Sequence, residues 1–237
     1  MKLFSRKARQ AALEPEDYTP EEDTVLEVRN LTIEYVVDKV VSKAVSNVSF
    51  RVKHGQTVGI VGETGAGKTT TALACMNQVP DPPGIIREGH IYVCGEDILL
   101  KSKRQLEQIR GRDIAMIFQD PMTSLNPLLT VGEQIAESIR LHEHLGNREA
   151  FEKAQDTLEI VGIPRGRAND YPHQFSGGMK QRVMIAVALS CNPHVLLCDE
   201  PTTALDVTIQ AQVLELMKKL REQYHSGMVM ITHDLGI

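Results

Sequence analysis

Gly62-Glu-Thr-Gly-Ala-Gly-Lys-Thr69 stands between the apolar run Thr57-Val-Gly-Ile-Val61 and the segment Thr70-Thr-Ala-Leu-Ala-Cys-Met-Asn77. The first flank reads as a buried strand and the second as a helix, so the glycines occupy a strand-to-helix loop. Gly62, Gly67, Lys68 and Thr69 satisfy the spacing G-x-x-x-x-G-K-[ST]. Glycine lets such a loop curl until several N–H groups point inward at phosphate oxygens, with no side chain in the way. A helix opening at Gly67 adds its positive dipole end. Lys68 is placed to reach the β- and γ-phosphates, and the Thr69 hydroxyl to ligate Mg²⁺. Phosphate contacts are therefore expected along Gly62, Glu63, Thr64, Gly65, Ala66, Gly67, Lys68, Thr69 and Thr70.

The 237 residues suit one large α/β domain or two small ones, and 42% hydrophobic with 24% charged content is ordinary for a globular chain. A formal net charge of -5 argues mildly against coating nucleic acid, and no nucleic-acid partner is expected. No apolar stretch approaches the roughly 18 residues needed to cross a bilayer, and the basic start Met1–Gln10 leads into acidic residues, unlike a secretory segment. Cys75, Cys94, Cys191 and Cys198 lack the close pairing of a zinc site or disulfide framework and read as reduced small hydrophobes.

Residues 1–24 are polar and charge-segregated, which reads as a flexible N-terminal extension. From Val25 onward short β-type runs come first: Val25–Val28, Leu31–Val37, Val45–Val52 and Thr57–Val61. Then follow a β stretch at His90–Val93, a helix at Ser102–Arg110 and a strand at Asp113–Phe118. Residues 121–174 are helical in character, with apolar spacing in Val131–Leu141 and Ala150–Val161. The chain then returns to α/β alternation: helix Gly178–Leu189, strand His194–Cys198, helix Thr208–Leu220 and strand Met228–Thr232.

Two further elements carry chemistry. Val195-Leu-Leu-Cys-Asp199-Glu200 is an apolar strand ending in two carboxylates. Asp199 would hold Mg²⁺, and Glu200 would polarise an attacking water. Phe175-Ser176-Gly177-Gly178-Met179 precedes a long helix; Ser176 is a good N-cap, and the glycines expose first-turn N–H groups. It is a second anion site, which a single nucleotide on one chain does not obviously fill.

With these motifs in place the chain resembles the ABC ATPase family, whose signature is this Ser-Gly-Gly element. The resemblance covers about residues 25–237. It implies an α/β fold of the P-loop NTPase class (RecA-like core), with an N-terminal antiparallel β subdomain and an inserted helical subdomain at about 121–178. It also implies a head-to-tail dimer, each ATP lying between the phosphate loop of one subunit and the signature of the other. By the same resemblance Gln119 is the glutamine that contacts Mg²⁺ and the attacking water. His233 is the switch histidine that contacts the γ-phosphate. Ala204-Leu-Asp206 is the loop at the dimer seam, and Tyr35 is the aromatic that stacks on adenine.

The segments Met116–Pro127, Tyr171–Met179 and Glu200–Gln212 are similar to the ATP-binding subunits of dipeptide, oligopeptide and nickel importers. That likeness implies membrane-spanning permease subunits and a second ATP-binding subunit, identical or distinct. An extracytoplasmic solute-binding protein would act indirectly, and the chain would sit at the cytoplasmic face of the cell membrane. The family continues past the switch histidine, so the resemblance further implies that a C-terminal part is missing here. A non-transport ABC ATPase and a degenerate nucleotide sensor remain the alternatives. The span from Lys68 to Ser176 is too short and too broken by proline and glycine for the coiled coil of the first, and Glu200 with His233 argues against the second.

Overall fold

The computed structural model describes residues 18–203 and 205–233. Within the expected extension, which runs to residue 24, Tyr18 packs on the fold: its ring stacks on Tyr92 at 3.6 Å, and its hydroxyl donates to Glu27 Oε2 at 3.1 Å. Residues 1–17 of the expected extension lie outside the described residues.

Strands β1 (Thr24–Val37) and β2 (Val40–Lys53) form a long hairpin. Its two-residue turn, Asp38-Lys39, takes positive φ at both positions (48° and 69°), the twist that matches paired strands. β3 (Thr57–Val61) ends in the glycine loop, and helix α1 (Lys68–Cys75) leaves it. β4 (Gly84–Val93) and the short β5 (Glu96–Asp97) complete an antiparallel sheet in the order β2-β1-β4-β5. Helix α2 (Lys103–Ile109) starts at a Ser102–Gln105 capping box. β6 (Ile114–Ile117) leads into the short α3 (Pro121–Ser124), then α4 (Val131–Glu143), α5 (Asn147–Ile160) and two 3₁₀ turns at Arg165–Asn169 and Pro172–Gln174. Last come α6 (Gly177–Leu189), β7 (Val195–Asp199), α7 (Val207–Tyr224) and β8 (Gly227–Thr232). The second sheet is parallel, in the order β3-β8-β7-β6.

The parallel sheet lies between two apolar cores, and the period of two along each strand assigns its residues to them. Ile114 and Met116, Val195 and Leu197, and Val229 and Ile231 face the antiparallel sheet and α1. Ala115 and Ile117, Leu196 and Cys198, and Met228 face the helices. On the helical side, α4 turns Val131, Ile135, Ala136 and Ile139 inward, the i, i+4, i+8 stripe of an amphipathic helix. α6 is apolar nearly all round because it is covered on both sides.

β3 departs from the buried strand expected of it. Among the described residues it pairs with β8 alone, and its residues alternate: Val58 and Ile60 pack into the core, while Thr57, Gly59 and Val61 are exposed. Its composition reads the same as a central strand's, but only one of its faces is packed into the core; on the other, Arg221 of α7 donates to the Thr57 hydroxyl at 3.1 Å.

Candidate functional site

The loop after β3 takes its shape from its own backbone. Gly67 sits at φ 82°, and a Cβ there would collide with the Ala44 carbonyl oxygen of β2, so only glycine fits. The Ala66 N–H donates to the Glu63 carbonyl at 3.1 Å, closing a turn across Thr64 and Gly65. Glu63, Thr64, Gly65, Ala66 and Thr69 are exposed. Lys68 is 7% exposed, and its ammonium donates to the carbonyls of Gly62 (2.7 Å) and Glu63 (2.9 Å). The ammonium thus threads through the loop, with a third proton still to give to a ligand oxygen. The far end of α1 is held by Arg110, which donates to the carbonyls of Met76 (2.8 Å) and Asn77 (2.7 Å). Beside the near end, the Tyr35 hydroxyl lies 3.4 Å from the Thr70 hydroxyl, so the expected adenine-stacking tyrosine stands over the helix that leaves the loop.

The two carboxylates at the end of β7 have different surroundings. Asp199 is 3% exposed, and its Oδ1 has no hydrogen-bond partner. Burial raises the Asp199 carboxyl above its usual range; the Thr69 hydroxyl hydrogen bond and the Lys68 charge pull it down, and the Glu200 charge adds to the rise. A buried, unpartnered carboxylate oxygen beside a threonine hydroxyl is a donor pair that fits a hard divalent cation. Among the described residues no cluster of three or more histidine, cysteine or acidic side chains could hold a metal by itself. Two protein oxygens completed by ligand phosphates and water is the usual arrangement for Mg²⁺.

Glu200 is instead surrounded by polar groups. The Gln119 amide donates to its Oε2 at 3.0 Å, the Thr203 hydroxyl donates to the same oxygen at 3.0 Å, and His233 Nδ1 lies 3.4 Å from Oε1. Its backbone takes φ 45°, and its N–H donates to the Ile231 carbonyl at 3.0 Å, fixing the turn that swings the side chain off the strand end. Gln119 and His233, chosen from the sequence by resemblance alone, therefore meet on the carboxylate of the third expected residue. Thr203 was missed; its only signal was a hydroxyl three residues beyond the acid, in Glu200-Pro-Thr-Thr203.

The Ser176 hydroxyl accepts from the Met179 N–H at 3.4 Å and caps α6. Both glycines were expected to serve an anion, but Gly178 has a packing reason too: a Cβ there would lie 2.7 Å from Ile209 Cγ2. At Gly177 the nearest atom, Leu205 Cδ2, is 3.9 Å away, so packing does not demand glycine there. A Cβ at either glycine would thus meet a residue of α7 or of the turn before it. Asp206 is the exposed N-cap residue of α7, without a side-chain capping bond; Ala204, in the same expected seam loop, lies outside the described residues, as does Asp234. Arg182 does not reach toward the loop; it donates to the Val161 carbonyl (3.0 Å) and to Gln212 (3.3 Å). Three of the four cysteines are buried as small apolar groups and Cys94 is exposed; all are free thiols, and burial pushes the Cys75 thiol up to about 12.

The sequence profile of the ABC transporter family matches residues 45–203. Over 215 residues the chain is 48% identical to the oligopeptide transport ATP-binding protein OppD of Bacillus subtilis (strain 168), covering 90% of this chain and 60% of that protein. Over 226 residues it is 51% identical to the glutathione import ATP-binding protein GsiA of Salmonella choleraesuis (strain SC-B67), covering 90% of this chain and 35% of that one. Among solved structures, the ATP-binding cassette MJ0796, in a dimeric post-hydrolysis state bound to ADP and Pi, superposes with a TM-score of 0.78 at 30% identity over 89% of each chain.

Proposed function

Because this chain belongs to the ABC transporter family through its match over residues 45–203, we propose that it binds ATP in the Gly62–Thr69 loop and hydrolyses it to ADP and phosphate, powering import of peptides. The observation that carries the hydrolytic part is the Glu200 carboxylate, gathered by Gln119, Thr203 and His233 at the end of the strand that also carries Asp199. Lys68 and the loop N–H groups neutralise the phosphate oxygens, and Glu200 orients the attacking water and takes up its proton. Gln119 and Thr203 hold the carboxylate in one rotamer, while His233, on its other oxygen, follows the last residue of β8, Thr232, which pairs with Val61 just before the loop. Asp199 and Thr69 would hold Mg²⁺, which would supply positive charge to offset the negative charge developing on the phosphate. Catalysis of this kind is mostly positioning and charge neutralisation, which suits a site of fixed dipoles around one held acid.

Tyr35 stacks on the adenine, and a second ATP-binding subunit supplies the Ser176–Gly178 N–H groups to the same nucleotide. The dimeric state of the similar cassette supports the second subunit. The names of the relatives support a peptide as the solute. Among the described residues no helix is long and apolar enough to cross a membrane, so permease partners would provide the pore, with this subunit on their cytoplasmic face.

The experiment is a pair of substitutions in the intact protein. Glu200→Gln is expected to leave ATP affinity in place and cut phosphate release by about a thousandfold, whereas Lys68→Ala weakens binding itself. Phosphate release that is indifferent to Glu200→Gln overturns the hydrolytic role. Uptake of a labelled peptide by cells that depend on this gene tests the solute, and failure there with hydrolysis intact removes peptide import alone.

A further inference from the structure

Arg167, in the first 3₁₀ turn of the helical region, has no role in the chemistry above, yet it grips the residues on both sides of Ser176. Its guanidinium lies 4.2 Å from the centre of the Phe175 ring. One nitrogen donates to the Gln174 carbonyl at 3.1 Å, a second points at the Met179 sulfur at 3.7 Å, and Nε pairs with Asp170 at 2.6 Å. The Asp170 carbonyl in turn accepts from the Val131 N–H at 2.9 Å, fastening the clasp to the first residue of α4. Phe175 is buried, whereas Ser176 and Gly177 are exposed.

We propose that Arg167 is the positioning residue of the Ser176–Met179 loop: it fixes Gln174, Phe175 and Met179 so that the three residues between present their N–H groups outward in one geometry, and it ties that geometry to α4. The claim rests on the ATPase reading for its functional consequence, not for its structural one. The planar fork is what the site uses. Stacking on Phe175, a carbonyl bond and an ion pair call for donors in a fixed plane, which an ammonium cannot supply. The Arg167 side chain keeps 32% of its exposure, so the charge itself is partly screened and the geometry carries the effect.

The test compares Arg167→Met and Arg167→Lys in the intact protein. Hydrogen exchange of the peptide covering residues 174–180 is expected to quicken about tenfold in both variants, with residues 57–75 unchanged. A fluorescent ATP analogue should bind with unaltered affinity, since the protein's own phosphate loop is untouched, while phosphate release falls about tenfold or more. Unchanged exchange at 174–180 in Arg167→Met overturns the proposal, as does full rescue of exchange and turnover by Arg167→Lys. Exchange that quickens throughout residues 121–175 overturns it as well, because Arg167 would then be a general brace. Glu200→Gln in the same preparation separates the two claims: if turnover ignores that change, the ATPase reading fails and exchange alone still decides on Arg167.

Discussion

Two loops in this molecule open a helix with glycines and expose N–H groups, yet they are held by different means. Gly62–Thr69 is shaped by local backbone: a glycine at φ 82° pressed on β2, and a lysine threaded onto its own loop's carbonyls. Ser176–Met179 is shaped by side chains that come from elsewhere: Arg167 from the preceding turn, Ile209 and Leu205 from the α7 side, with one hydroxyl cap of its own. The first kind of loop is written in eight consecutive residues. The second borrows its shape from neighbours, so it can be adjusted without being destroyed.

Single methyl groups break or sharpen that contrast. Gly67→Ala should have the largest effect, since it adds left-handed strain to a backbone collision; we expect about 3 kcal/mol of lost stability together with lost nucleotide binding. Denaturant unfolding with and without ATP measures both. Gly178→Ala should cost about 1–2 kcal/mol, because the atom it meets is one side-chain methyl and not backbone. Adding Ile209→Ala, which removes that methyl, should relieve the clash, and a double-mutant cycle separates this coupling from the cost of the lost isoleucine atoms. Ser176→Ala removes one cap bond, for about 1 kcal/mol in the unfolding midpoint. Gly177→Ala should change stability by less than about 0.5 kcal/mol, since a methyl there has room. If Gly177→Ala proves as damaging as Gly67→Ala, the two loops are alike after all. Loss of turnover with stability kept marks Gly177 as chosen for the ligand.

The parts legible in the sequence were those whose cause is local. β3 was placed at Thr57–Val61 as found, and the helices after both glycine loops started within two residues of their expected positions, because glycine and a capping serine mark those starts directly. What escaped were properties set by distant neighbours. The exposed face of β3 depends on which strands pair with it, and an apolar run carries no record of that. Val25–Val28 and Leu31–Val37 proved to be one strand because Asn30, at φ 48°, interrupts the register without ending the pairing. Thr203 and Arg167 are ordinary residue types whose roles appear only when Glu200 and Phe175 arrive beside them. Gln119 and His233 were found by resemblance; no spacing links them to Glu200.

The pairing of β3 with β8 alone, among the described residues, has a consequence in time. The strand that feeds the Gly62–Thr69 loop is made early, but its partner, Gly227–Thr232, leaves the ribosome on the order of ten seconds later at ordinary synthesis rates. Through that interval β3 has no neighbour in its sheet. The arrival that supplies one also carries in His233, which closes on Glu200. The strand pairing beneath the loop and the histidine beside the acid are therefore supplied by one late event, and a nascent chain that has not yet made residue 227 has neither.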